Sequence, residues 1–116
     1  MLRHSSQPYG AYKMTKASLL ALAQCLASEL GPDGVRVNSV APGWIWADVL
    51  QAYFGYLAQQ RGIEPQAVYD EIAGTIDLRR LPVPDEIADA VVFMASDLSR
   101  GITGHCLDVN CGEYHH

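Results

Sequence analysis

The 116-residue sequence holds 8 Lys+Arg against 13 Asp+Glu, a formal charge of −5, with 49% hydrophobic and 18% charged residues. This is the composition of a folding chain and not of a disordered tail, and an acidic balance without a basic run argues against nucleic acid or an anionic membrane as partner. No apolar stretch is long enough to span a bilayer, and the N-terminus lacks the apolar centre of a signal peptide. Three cysteines (Cys25, Cys106 and Cys111) make neither an even disulfide framework nor a C-x-x-C pair, so a reducing, cytoplasmic setting is expected.

The first element is a helix from about Gln7 to Leu30, with Ser6 or Gln7 at its cap and Pro8 in its first turn, where a missing N–H costs nothing. Leu19, Leu22, Cys25/Leu26 and Leu30 recur at helical spacing, and Gly31-Pro32 stops the helix. Val35–Ala41 reads as a short β-branched strand closed by Pro42-Gly43. Helical patterns follow over Trp46–Arg61 and Pro65–Gly74, with Gly62 between them, and Asp77–Val83 is a loop. Pro84-Asp85-Glu86 opens another helix with a proline and two acids in its first turn, and its Ile87, Val91, Val92, Met94 and Ala95 are expected to face a core. His105–Asn110 is a terminal strand. Helices alternating with strands imply an α/β fold with a parallel sheet covered on both faces. Two strands make a sheet that is all edge, so the pattern reads as part of a fold.

Tyr12 and Lys16 stand four residues apart on the first helix and therefore share a face. A phenol titrates near pH 10 in water, and an ammonium a few ångströms away favours its ionised form. Such a pair is suited to acid–base work on an alcohol or carbonyl oxygen. The alternative is that Tyr12 packs while Lys16 covers it and reaches water.

The succession Tyr12–Leu19, Ala27–Leu30, Val35–Gly43, Pro84–Ala88, Ala95–Asp97, Ile102–Gly104 and Leu107–Gly112 resembles the C-terminal half of the short-chain dehydrogenase/reductase family over nearly the whole chain. The resemblance implies a Rossmann-like doubly wound parallel sheet, of which residues 1–116 would be the C-terminal half, with about two strands and four helices. It implies an oxidoreductase that uses NAD or NADP to exchange hydride with a small-molecule alcohol or ketone, the cofactor supplying the redox chemistry. By that similarity Tyr12 is the catalytic acid/base, while Lys16 binds the nicotinamide ribose and lowers the tyrosine pKa. Pro42, Gly43, Trp44 and Ile45 form the turn beneath the nicotinamide, with the Ile45 backbone reaching its carboxamide. The sequence departs from the family in having no G-x-x-x-G-x-G run, Ala47 where threonine is frequent, and Asn110-Cys111-Gly112 where Asp-Gly-Gly is common. The family's catalytic serine falls upstream of Met1. Weak dinucleotide binding or none is therefore expected of this chain alone, because glycine backbone at a helix N-terminus holds the pyrophosphate.

Trp44, Trp46, Tyr53, Phe54 and Tyr56 cluster where the family carries its substrate lid, and they either line a lipophilic pocket or pack a lid helix. Tyr9 borders the substrate or lies on the surface. Arg79 and Arg80 are assigned to pairing with nearby acids such as Asp77 or Asp85 in preference to a phosphate clamp. The four histidines show no metal-site spacing, and Cys106 and Cys111 fall on opposite faces of a strand, so no metal is expected. For partners, a missing N-terminal half or a homo-oligomer is expected. The rival to an enzyme is a truncated, non-catalytic remnant that only self-associates.

Overall fold

The computed structural model describes residues 10–115. It is an α/β chain in the order α1 (Gly10–Leu30), β1 (Ser39–Pro42), α2 (Asp48–Arg61), α3 (Pro65–Ala73), α4 (Pro84–Ala95) and β2 (Cys106–Val109), with 3-10 turns at Gly31–Asp33 and Asp97–Ser99. The two strands are neighbours in one sheet. Ser39 N–H donates to His105 O at 2.8 Å and Gly43 N–H to Val109 O at 3.1 Å, so donors and acceptors advance together along the chain, and the pair is parallel. Among the described residues no helix is long and apolar enough to cross a membrane.

The expected elements are present with shifted ends. The Gln7–Tyr9 start of the first helix lies outside the described residues. At its other end α1 stops at Leu30 as expected from Gly31-Pro32, and after one 3-10 turn the left-handed Gly34 (φ 76°) places its N–H on Gly31 O. The strand expected from Val35 begins only at Ser39. Val35 N–H goes back to Leu30 O, Val37 N–H to Thr103 Oγ1, and Val37 O accepts from Gly104 N–H. These backbone groups are satisfied by a helix end and a loop, which removes any need for a ladder there. Trp46 and Ala47 precede α2, Trp46 N–H being taken by Pro82 O.

The chain divides into two compact units, one of residues 10–41 with 90–107 and the other of 42–89 with 108–115. In the first, the Arg36 guanidinium binds four acceptors. Its Nη1 donates to Met94 O (3.1 Å), Ser99 Oγ (2.9 Å) and Ile102 O (3.2 Å), and its Nη2 to Ser96 O (3.1 Å). A cation there answers the carbonyls left over at the C-terminal end of α4. Ser99, fully buried, returns its hydroxyl to Met94 O at 2.8 Å. Asn38 adds a second tie, donating to Ile102 O and accepting from His105 N–H. The expected core face of α4 is corrected here. Met94 is buried, but Val91 and Val92 are 50% and 66% exposed, and Ala95 is exposed as well. Leu19 and Leu22 of α1 are likewise more than half exposed, and within that helix only Ala27 is buried.

The second unit has a true apolar core of Phe54, Ala58, Val68, Ala73, Ile76 and Leu81, against which Trp46, Leu50, Leu57, Tyr69, Ile72 and Cys111 pack. It is built by the α2–α3 hairpin. Gly62 (φ 66°) ends α2, and Pro65 starts α3 from an extended Glu64. Phe54 is fully buried among aromatic rings, 5.3 Å from Trp46, and the Tyr69 hydroxyl accepts Leu81 N–H at 3.2 Å.

Two substitutions separate these anchors from the exposed apolar surface. Arg36→Ala is expected to lower the unfolding free energy by about 2–3 kcal/mol, because it strands buried acceptors of a charged donor. Val92→Ala is expected to change it by no more than about 0.5 kcal/mol. Urea unfolding of the two variants beside the parent chain checks both values.

Candidate active site

Tyr12 and Lys16 sit one turn apart on α1, and the Lys16 Nζ lies 5.6 Å from the centre of the Tyr12 ring. That is within cation–π range, with both residues exposed to solvent. Tyr12 is 45% exposed. Around them the hydroxyls of Thr15 and Ser18 turn back to Ala11 O and Met14 O, both at 2.9 Å, and are absorbed by the helix. The first unit thus offers a phenol and a paired cation on an accessible helix face. Tyr9, the third aromatic expected nearby, lies outside the described residues.

The Pro42–Ile45 turn belongs to the second unit and leads from β1 toward α2. Gly43 is fixed through its N–H on Val109 O, and Ile45 O accepts from Ala47 N–H at 2.9 Å, a tight local reversal. The absent side chain of Gly43 leaves room for this chain's own atoms: a Cβ there would stand 2.8 Å from Asn110 Cβ and 2.6 Å from Glu113 Oε2. The expected aromatic cluster divides by role. Trp44 is 39% exposed, its ring 6.3 Å from Phe54, while Tyr53 and Tyr56 are exposed too. Trp46 is committed to packing, edge-on to Tyr69 at 4.7 Å.

Arg80 pairs with a nearby acid as expected, while Arg79 binds carbonyls instead. Arg80 forks onto Glu86, with Nη1–Oε2 at 2.8 Å and Nη2–Oε1 at 2.6 Å, and not onto Asp77 or Asp85. The longer side chain reaches back across the start of α4, where its Oε2 also accepts Val83 N–H at 3.0 Å in half of a capping box. Arg79, in left-handed conformation at φ 56°, donates to Gly74 O and Ile76 O. Asp77 is held by His115, Nε2–Oδ2 2.6 Å. Cys111 lies past β2, and burial pushes its thiol pKa up, so it is a poor nucleophile. Arg36, Tyr69, Asn110 and Glu113 carry structural roles that no spacing in the sequence announces.

The sequence profile of the family described as enoyl-(acyl carrier protein) reductase matches residues 2–114. The crystal structure of a short chain dehydrogenase family protein from Francisella tularensis superposes with a TM-score of 0.84 at 27% identity, covering 97% of this chain and 47% of that one. The chain belongs to the short-chain dehydrogenase/reductase family. Its two strands and four helices are accordingly part of a Rossmann-like α/β architecture. It is similar to the (3R)-3-hydroxyacyl-CoA dehydrogenase of Canis lupus familiaris, 39% identical over 89% of this chain and 36% of that protein. It is also similar to the 3alpha-hydroxysteroid dehydrogenase of Mediterraneibacter gnavus, 38% identical over 90% of this chain and 38% of that protein. The chain thus spans little more than a third of the length of these curated relatives.

The Arg80–Glu86 fork gives the second unit a defined acid response. The Arg80 guanidinium, followed by the Val83 N–H, lowers the Glu86 carboxyl from 4.5 to about 2. A carboxyl with a depressed folded-state pKa adds stability above its unfolded value and loses it as pH falls toward the folded one. Thermal stability should therefore drop between about pH 4.5 and pH 2, and Glu86→Gln should flatten that part of the profile. Melting temperatures across that range, parent against variant, check it.

Proposed function

We propose that this chain is the C-terminal part of an NAD(P)-dependent oxidoreductase and carries its catalytic pair, acting on a small-molecule alcohol or ketone. The observation that carries the reading is the Lys16 ammonium seated 5.6 Å over an accessible Tyr12 ring, at the spacing where the family keeps its acid/base pair. The residue types suit the nicotinamide end of a dinucleotide, each within its own unit: in the first a cation for ribose hydroxyls and a phenol for the substrate oxygen, in the second a turn backbone for a carboxamide. When bound, NAD or NADP supplies the hydride chemistry.

In this reading Lys16 donates to the ribose hydroxyls. Tyr12 gives its hydroxyl proton to the oxygen of a ketone being reduced and takes one from an alcohol being oxidised. Pro42, Gly43, Trp44 and Ile45 support the cofactor through their backbone, and the exposed Trp44 offers an apolar wall to the substrate. Trp46 acts from behind it, through the core, and Tyr9 is assigned to the substrate border. The free cysteines support a reducing, cytoplasmic compartment.

The second reading, a non-catalytic remnant that only self-associates, is favoured by one observation: Leu19, Leu22, Val91 and Val92 of the first unit are all half or more exposed. NADH fluorescence separates the two. The enzyme reading predicts a saturable enhancement that weakens at least about tenfold in Lys16→Ala, a loss of roughly 1.4 kcal/mol of binding. Tyr12→Phe should keep that binding. No saturable signal from the parent chain, together with sedimentation as a dimer or larger, would favour the remnant.

A further inference from the structure

We propose that Asn110 and Glu113 are positioning residues, setting the backbone of the Pro42–Ile45 turn and, through it, the place of the nicotinamide. The second half of that statement rests on the function proposed above; the first half stands on this unit's geometry alone.

The segment after β2 is a closed block. Asn110, only 9% exposed, accepts Gly112 N–H on Oδ1 at 2.9 Å, accepts Glu113 N–H on its carbonyl at 3.1 Å, and donates from Nδ2 to Tyr114 O at 3.4 Å. Cys111 and Gly112 are successive left-handed residues, φ 56° and 87°, which folds the chain back on itself. A non-glycine residue such as Cys111 holds that conformation only when its surroundings enforce it. Here the surroundings do, since Cys111 packs on the Phe54 core.

The block has two abutments. On one side Leu78 N–H donates to Cys111 O at 3.1 Å and Asp77 N–H to Gly112 O at 3.4 Å, and a Cβ on Gly112 would stand 2.6 Å from Asp77 Cβ. On the other side is Gly43. Its N–H is held by Val109 O, and the space its side chain would need is filled by Asn110 Cα, Asn110 Cβ and Glu113 Oε2, at 3.1, 2.8 and 2.6 Å from that Cβ position. The turn backbone therefore rests directly on Asn110 and Glu113.

Glu113 adds the sharper indication. Its Oε2 is buried with no hydrogen-bond partner among the described residues. A buried carboxylate oxygen without a donor is destabilising for the fold. Beside it, burial raises the Tyr114 phenol pKa, with the Glu113 carboxylate acting the same way, so the phenol stays protonated next to the acid. The carboxylate of Glu113 hydrogen-bonds the Tyr114 side chain, and its Oε2 fills the space beside Gly43. It acts as a stop that fixes how far the turn can settle toward β2.

The test reads amide hydrogen exchange of the intact chain by NMR, with the Phe54 amide in α2 as the internal standard for global opening. Glu113→Ala should accelerate exchange of the Gly43 amide by about tenfold or more while Phe54 stays within about twofold, and Glu113→Gln should keep Gly43 near its parent rate. If Glu113→Ala does not fold, Glu113→Asp, which withdraws the oxygen by one methylene, takes its place with the same expectation. An unchanged Gly43 amide overturns the proposal, and so does an equal rise at Gly43 and Phe54, which would mean a merely structural role. NADH titration of the same variants addresses the nicotinamide half. If the parent binds, Glu113→Ala should weaken NADH about tenfold, and unchanged affinity overturns that half. If the parent binds no NADH, the function proposed above fails, while the exchange result still decides the positioning role.

Discussion

Buried backbone N–H and C=O groups must find partners, and only four residues of β1 and four of β2 find them as sheet. Everything around this short parallel ladder is arranged to finish what it leaves undone. Where the ladder has not begun, Thr103 and the Asn38 amide take over as side-chain partners. Where it has ended, Asn110 closes a turn against the Gly43 backbone. Arg36 does the same for α4, collecting its terminal carbonyls with one planar cation. A lysine could not reproduce that, since it lacks the fork that reaches several acceptors at once.

Helices were legible in the sequence because their ends are written in local chemistry. Pro65 and Pro84 mark two starts to the residue, and Gly62 marks a stop. The strand beginning at Val35 was misplaced because alternation of apolar and polar residues reports a preference for extended backbone, not the presence of a neighbour to pair with. The apolar faces of α1 and α4 show the same limit. Spacing correctly puts Leu19 and Leu22, or Val91 and Val92, at helical intervals, but only packing decides what covers them.

The candidate site was legible in a similarly uneven way. Tyr12 and Lys16 are four apart on one helix, so their proximity follows from the pitch alone. The fixing of Gly43 was not legible, because its contacts are with Asn110 and Glu113, far along the chain, and nothing in either stretch names the other. Arg80 was understood as a pairing residue, but its partner Glu86 was chosen by side-chain reach and by the open N–H of Val83. Trp46, which an aromatic count places beside a substrate, spends its ring on the core through Phe54 and Tyr69.

The proposed function brings the family assignment and the Tyr12–Lys16 pair of α1 together. A two-dimensional amide NMR titration with NADH tests that proposal most directly, since it detects weak binding and locates it. The account predicts that the Tyr12 and Lys16 amides of α1 shift progressively and saturate together. Amides that move elsewhere while those of α1 remain still, or no movement at millimolar NADH, would contradict it.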